Sequence, residues 1–181
     1  MTSETINDAE IQAALDRLAG AFDNMFGPMT EIADHMRDAT KDRMAQGVSP
    51  DGTPFAPRSP VTLARYEADK VRKGDSYGPL PLWRRGIMRG GIASRATEDA
   101  AEIGSNAIQA AVMQFGARQG EFGARMGVSK STDKRPKGQR YFFHLPWGDI
   151  PARPFLGVSP TDRSNIHDIL NEWMERIARP T

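Results

Sequence analysis

The sequence predicts an α+β fold, made of an N-terminal helix pair, a small antiparallel sheet, a short buried helix and a C-terminal helix packed on the sheet. Apolar residues recur at helical spacing near both ends of the chain, whereas short strand-like segments lie between them. Because helical and strand patterns occupy separate parts of the chain, they indicate α+β rather than α/β architecture. With 181 residues, the chain is expected to form one domain over residues 1–181.

The helix pair is predicted over residues 1–47. The apolar residues of its first helix recur at spacings of four, three, four and three: Ile11, Leu15, Leu18, Phe22 and Met25. So narrow a stripe is typical of a helix that packs against few neighbours or against another subunit. We expect the first helix to end near Gly27, and Pro28 to open a second helix that stops at Gly47.

The middle of the chain is predicted to hold short elements separated by turns. The expected elements are a surface turn at 49–55, a short helix at 61–71, a second short helical stretch that follows 80–83 and runs through Met88, strands at 92–96 and 100–104 joined by a polar turn, and a short buried helix at 107–115. The burial of the last helix is inferred from its alanines and from the helical spacing of Ile108, Val112 and Phe115.

The last third of the chain begins with a segment of unusual composition. Residues 117–140 are rich in Gly, Ser, Lys and Arg and have few apolar side chains, which predicts a basic, flexible insertion. A strand is expected at 141–145 and an extended segment stiffened by proline at 150–156. Ser159 and Pro160 then open the final helix.

Charge is distributed unevenly, although the net charge is only +1. Residues 1–46 hold nine acidic and four basic residues, a net charge of −5, and residues 116–140 hold seven basic and two acidic residues, a net charge of +5. Such separation suits head-to-tail association between identical copies, or a basic arm that reaches an acidic partner. It is equally compatible with a solvated acidic helix face and a solvated loop.

No sequence pattern points to catalysis, a cofactor or a metal. The chain has no cysteine, which excludes thiolate catalysis and cysteine-ligated metal centres. Nucleophile-elbow, phosphate-loop, dinucleotide-binding and zinc-protease motifs are absent, and the three histidines are far apart in sequence. The apolar runs are short, and the N terminus lacks the pattern of a secretion signal. We therefore expect neither an enzyme nor a membrane-spanning or exported protein.

Ten residues are candidates for contact with a partner. They are three arginines after Trp83, five cations in or beside the basic insertion, and two residues of the proline-rich segment: Arg84, Arg85, Arg89, Lys130, Lys134, Arg135, Lys137, Arg140, Arg153 and Phe155. The alternative for the cations of 117–140 is a DNA-binding accessory role through phosphate contacts. The pI is only about 8.1, and the sequence lacks a helix-turn-helix or zinc-finger pattern. Both observations argue against the DNA-binding role.

Several segments, taken in order, resemble the phage virion morphogenesis family, the tail-completion and neck proteins of tailed phages and Mu-like prophages. After a helix pair they are the turn at 49–55 with Pro-Asp-Gly and an aromatic, the Leu-Trp-Arg-Arg-Gly-Ile-Met run at 82–88, Ile-Gly-Ser-Asn at 103–106, Gln-Phe-Gly at 114–116, and Ile-Pro-Ala-Arg-Pro-Phe-Leu-Gly at 150–157. The resemblance spans about residues 10–178. The chain departs from the family at Gln109 and Met113, where the family usually has Tyr and His.

The resemblance implies a structural virion protein at the head-tail junction, acting in the neck, in tail completion or as a tail terminator, without catalysis. The expected partners are further copies of the same chain in a ring, with six as the expected number, and the neighbouring head-completion, connector and tail tube proteins. Non-specific contact with packaged DNA and residence in the host cytoplasm during assembly are also implied. No cofactor, metal or membrane is expected.

Overall fold

The computed structural model describes residues 8–73, 78, 80–83, 86–121, 124–128, 136, 138–144 and 149–179. Its elements, in chain order, are α1 (Asp8–Phe22), α2 (Phe26–Gln46), α3 (Pro60–Lys73), α4 (Ile87–Gly90), β1 (Ile92–Ala96), β2 (Ala101–Ser105), α5 (Ala110–Phe115), β3 (Ala124–Val128), β4 (Arg140–His144) and α6 (Pro160–Ala178). The α+β prediction is confirmed.

The chain divides into two compact units. The larger unit comprises Met1–Ala107 with Phe155–Thr181, and the smaller unit comprises Ile108–Pro154. No helix within the described ranges is long and apolar enough to span a membrane.

Helix α2 is the centre of the larger unit. Its buried residues follow the spacing of a single helix face: Pro28, Ile32, Ala33, Met36, Thr40 and Met44. This face packs against the β1–β2 hairpin, whose antiparallel register runs from Ile92 opposite Ser105 to Ala96 opposite Ala101. The predicted pair of strands and the turn between them are therefore confirmed.

The boundary between α1 and α2 lies earlier than predicted. Helix α1 ends at Phe22 rather than near Gly27, and α2 begins at Phe26 rather than Pro28. The Asn24 side chain accepts a hydrogen bond from the backbone N–H of Phe26 at 3.1 Å, which supplies a local alternative to the helical bond. At the other end, Gly47 adopts a left-handed φ of 77° and closes α2 as predicted.

The C-terminal helix α6 begins with a reciprocal cap. The Ser159 hydroxyl accepts from the Asp162 N–H at 3.0 Å, and the Asp162 carboxylate accepts from the Ser159 N–H at 2.8 Å. The predicted packing of this helix was wrong, because α6 lies mainly against α1 and α2. Trp173 of α6 meets Phe22 of α1 edge to face, with ring centroids 5.5 Å apart. Helix α2 therefore contacts both α6 and the β1–β2 hairpin.

Helix α5 is present but is not the buried helix that was predicted. It spans Ala110–Phe115 and has no buried residue, and Phe115 is 80% exposed. Alanine is common in buried helices, but it is also the best intrinsic helix former. The alanines of α5 therefore correctly predicted a helix but not its burial. In the stretch predicted to be helical after 80–83, the described residues include the short helix α4, which spans Ile87–Gly90.

The basic segment 117–140 contains part of a second hairpin. Strand β3 pairs antiparallel with β4, from Ala124 opposite His144 to Val128 opposite Arg140. The prediction of β4 is confirmed, whereas no strand was predicted at β3, which lies within the segment predicted to be a basic, flexible insertion. The strand escaped prediction because backbone pairing stabilises it and its sequence has little apolar alternation. Residues 122–123, 129–135 and 137 of this segment lie outside the described residues.

Candidate functional site

Six of the ten predicted contact residues lie outside the described part of the chain: Arg84, Arg85, Lys130, Lys134, Arg135 and Lys137. The other four are described, and they differ in exposure. Arg140 is exposed at the start of β4, whereas Arg89 is half-buried and Arg153 and Phe155 are buried. Of the four described residues, Arg140 and part of Arg89 are therefore accessible at the surface.

Arg89 connects the short helix α4 to the end of α2. Its Nε donates to the Lys41 carbonyl at 3.0 Å, and its terminal nitrogen lies 3.9 Å from the Asp42 carboxylate. The guanidinium also lies over the Trp83 ring, 5.7 Å from its centroid. Arg89 thus holds α4 in place and leaves part of its charge at the surface.

Arg153 and Phe155 occupy interior positions. The Arg153 N–H donates to the Met113 carbonyl at 2.6 Å, and its guanidinium donates to the Pro151 carbonyl at 3.4 Å. Phe155 is fully buried. Neither side chain is presented at the surface, so the proline-rich segment that contains them fixes the interior of the fold.

A buried charged network joins α2 to the start of α6. The Arg43 guanidinium donates to the Asp162 carboxylate at 2.6 Å and to the Gly157 carbonyl at 3.1 Å. His35 Nε2 lies 3.5 Å from the other Asp162 oxygen. Among the described side chains, Arg43 Nε is the buried polar atom without a hydrogen-bond partner. This network determines how the C-terminal helix sits on the helix pair.

Asp162 is ionised in this setting in spite of its burial. Burial alone would raise its pKa, but hydrogen bonds from the backbone and side chain of Ser159, together with the positive charge of Arg43, lower the pKa below its ordinary value. The sequence contained one signal for this site. Arg43 falls on the same face of the second helix as Ile32 and Met36, where a cation needs a buried partner.

Arg58 organises the segment that precedes Arg84. It donates to the backbone carbonyls of Gly78 at 2.8 Å and Trp83 at 2.9 Å, and also to those of Leu80 and Pro81. Its guanidinium lies over the Tyr66 ring, 5.1 Å from the centroid. Burial lowers the pKa of Arg58. Sequence reasoning gave this residue no role, because backbone carbonyl partners leave no pattern in the side chains.

The turn at 49–55 has the geometry that its sequence predicts. The Asp51 carboxylate accepts from the Ser49 hydroxyl at 2.6 Å and the Thr53 N–H at 2.9 Å, and these hydrogen bonds lower its pKa. Gly52 has a φ of 85°. The turn meets Gly157, where an added Cβ would lie 2.8 Å from Pro50 Cγ. Two segments that carried the family resemblance are therefore in contact.

Apolar side chains remain exposed on several described elements, among them Val61, Leu63 and Val71 on α3 and Ile87 on α4. On α1 and the start of α2, Ile11, Leu15, Phe22 and Phe26 are about half exposed, and in the smaller unit Ile108 and Phe115 are almost fully exposed. Phe115 also borders an open cleft of about 820 Å³, which is lined by residues 115–121, 149, 150 and 152. Contiguous exposed apolar patches mark surfaces for association, whereas single exposed apolar side chains are common on proteins.

The described residues contain no cluster of three or more His, Asp or Glu side chains suited to a metal ion. Their polar groups are instead engaged in hydrogen bonds that fix one segment against another, as at Arg43 and Arg58. Among the described residues the arrangement therefore provides surfaces with separated charge and exposed apolar groups.

The chain belongs to the phage virion morphogenesis family, whose profile matches residues 6–175. It is similar to tail completion protein S of Escherichia phage P2, with 25% identity over 166 residues that cover 89% of this chain and 95% of that protein. It is also similar to Mu-like prophage FluMu G protein 2 of Haemophilus influenzae, with 26% identity over 176 residues and 97% coverage of each chain. No solved structure matches the chain. The resemblance inferred from the sequence is confirmed, and the family assigns the chain a structural role in the phage tail.

Proposed function

We propose that this protein completes or terminates the phage tail at the head-tail junction, where copies of the chain assemble into a ring. The observation that carries the proposal is family membership over residues 6–175, together with the name of the phage P2 relative, a tail completion protein. The ring is expected to have six copies and to contact the head-completion or connector proteins on one side and the tail tube on the other. The protein resides in the virion after assembly in the host cytoplasm.

The charge distribution supports ring formation. A ring requires two different surfaces on each copy that meet repeatedly by rotation. The acidic helix pair is one such surface, since Asp16, Asp23 and Asp42 are exposed. The basic partner is the smaller unit, which contains most of the positive segment 116–140. Opposite charges on these two surfaces favour one relative orientation of neighbouring copies.

Sedimentation of the purified chain across a range of salt concentrations tests the electrostatic part of this proposal. Salt screens exposed charges beyond about 10 Å at 0.1 M, so rings that form at low salt are expected to dissociate into smaller species as salt rises. Electron microscopy of the same samples reports whether the oligomers are closed rings. An identical assembly state at every ionic strength contradicts electrostatic ring closure.

Particles from a phage that lacks the gene test the role itself. We expect such particles to carry incomplete or unattached tails, and the wild-type chain supplied from a plasmid to restore them and to remain with purified virions. A chain that never copurifies with particles contradicts the proposal.

The competing role is that of a DNA-binding accessory protein, favoured by the positive charge of 117–140. It predicts retention of duplex DNA with a steep loss of affinity as salt increases. If DNA is retained in this way while the chain is absent from virions, the accessory role replaces the structural one.

A further inference from the structure

Helix α1 is attached to the rest of the larger unit by few contacts. None of its residues is buried, and it packs mainly on α6. Phe22 meets Trp173 edge to face, and the Arg17 guanidinium donates to the carbonyls of Ile177 and Ala178 at 3.3 and 2.8 Å. Because a helix of 15 residues is only marginally stable alone in water, α1 depends on its docking to α6.

The C-terminal half of α6 provides a binding surface for α1. Trp173 is only 8% exposed, and the Phe22 ring contributes to covering it. The last carbonyls of a helix have no partner within the helix, and Arg17 supplies donors to two of them. Without α1, an indole ring and two backbone carbonyls of α6 would face water. The end of α6 therefore requires an α1 helix, and none of these contacts depends on which copy of the chain supplies it.

The connection between α1 and α2 is a short hinge made of Asp23 and Asn24, which are both exposed. The chain after the hinge is fixed, because the Met25 N–H donates to the Glu98 carbonyl in the turn of the β1–β2 hairpin at 3.0 Å.

Pro28 keeps the two helices from merging into one. In a continuous helix its ring would clash with the carbonyl four residues earlier, that of Asn24. Pro28 is also the first buried residue of α2, so the buried face of this helix begins after the hinge. Helix α1 can therefore change direction at Asp23 and Asn24 while α2 stays packed.

We propose that α1 is exchanged between copies, so that α1 of one copy docks on α6 of the next. Exchange of an identical element is a low-cost route to association, because every contact between α1 and α6 is kept. Each copy gives one helix and receives another, so repetition by rotation closes a ring. The high effective concentration of neighbours in an assembly favours this exchange. The inference rests on the proposed self-assembly and names the contact that makes it.

Cysteine cross-linking tests the exchange directly, because the natural chain has no cysteine. Ala21→Cys and Met174→Cys are combined in one chain, since both residues are half-buried and adjoin Phe22 and Trp173. A short bis-maleimide, added to the assembled protein, then links α1 to the α6 on which it lies. We expect denaturing electrophoresis to show a ladder of covalent multimers, roughly ten-fold more abundant than internally linked monomer, because each thiol reacts with the one held beside it.

Ala19→Cys combined with Met174→Cys is the matched control. Ala19 is exposed on α1 and lies about 160° around the helix from Ala21, because each residue advances about 100°. We expect this chain to give few multimers and little internally linked monomer. Internally linked monomer as the main product of assembled Ala21→Cys/Met174→Cys protein, or an equal ladder from the control, would overturn the exchange.

A longer hinge gives a second test, which separates failure of the exchange from failure of the proposed function. Gly-Ser-Gly-Ser inserted between Asp23 and Asn24 lets α1 reach its own α6 more freely, so we expect oligomers to decrease about ten-fold. Thermal unfolding is expected to change little, because α1 still covers Trp173. Unchanged assembly of this variant overturns the exchange. Wild-type rings whose cross-links stay within single chains overturn it too but leave the tail role standing, whereas absence of the wild-type chain from virions overturns the tail role.

Discussion

At the scale of single residues, Asp162 does two things at once. It caps α6 through Ser159 and pairs with the Arg43 guanidinium at 2.6 Å, and its side chain is only 3% exposed. A buried ion pair adds little stability compared with an apolar pair, but breaking it leaves one charge without a partner. The network is therefore most sensitive to the loss of one member.

We expect Asp162→Ala to lower the free energy of unfolding by about 3–5 kcal/mol, because Arg43 would stay buried without its carboxylate. Urea denaturation followed by circular dichroism measures the change. The control is Glu175→Ala, which removes an exposed pair with Arg179 and is expected to cost about 0–1 kcal/mol. Similar costs for the two variants would contradict a structural role for the network.

The lowered pKa of Asp162 predicts the direction of a pH dependence. The unfolded carboxyl titrates near its ordinary pKa of about 3.9, whereas the folded one titrates lower, so the folded chain binds fewer protons in acid. Its contribution to stability is complete above the unfolded pKa and is lost as pH falls through the folded pKa. Denaturation midpoints measured from pH 7 to pH 3 are expected to fall less steeply for Asp162→Asn than for the wild type. Parallel curves would contradict this linkage.

At the scale of elements, local signals in the sequence predicted more than long-range ones did. The apolar spacing of α1 and α2, the Gly47 stop and the Ser159 cap each lie within a few residues, and they predicted real helices. The partner of α6 was not predictable in this way, because the ion pair that positions it joins residues 119 apart in sequence. Strand β3 was missed because its stabilisation comes from pairing with β4. The exposure of α5 was missed because amino-acid composition does not show which other elements cover a helix.

The contact between the turn at 49–55 and the start of α6 gives a prediction at this scale. Gly157 has a φ of 154° and an added Cβ would lie 2.8 Å from Pro50 Cγ, an atom of a rigid ring. Gly157→Ala is expected to destabilise the chain by about 1–3 kcal/mol through strain and the clash. Gly20→Ala is the control, since nothing lies within 4 Å of its added Cβ and alanine favours the α1 helix by roughly 0.5–1 kcal/mol. Thermal unfolding of both variants is expected to show opposite signs, and a neutral Gly157→Ala would contradict the tight contact.

At the scale of the whole molecule, the distribution of charge along the chain is more informative about association than any single charged residue. The net charge of +1 conceals an acidic N-terminal segment and a basic smaller unit. This separation was predictable from the sequence because it needs only a count of residues along the chain. The burial of single side chains was not predictable in this way, since Arg153 and Phe155 were candidates for partner contact and are buried.

Neutralising the acidic surface tests this separation. Asp16→Asn, Asp23→Asn and Asp42→Asn combined are expected to weaken association roughly ten-fold at low salt and to flatten its salt dependence, because less charge remains to be screened. The control combines Asp168→Asn, Glu172→Gln and Glu175→Gln, which change net charge equally on the exposed side of α6. Analytical ultracentrifugation measures both. Equal weakening by the two triple variants would indicate that only net charge matters, which contradicts an oriented contact.

The double role of Asp162 also constrains how the protein moves. When the first turn of α6 unfolds, the Ser159–Asp162 cap is lost and the buried Arg43 guanidinium of α2 loses its carboxylate partner. Local unfolding of either helix alone therefore has a high free-energy cost. Amide protons in the first turn of α6 and in the last turns of α2 are therefore expected to exchange with solvent together, as one cooperative unit. In such a protein α2 and α6 stay folded together and unfold together.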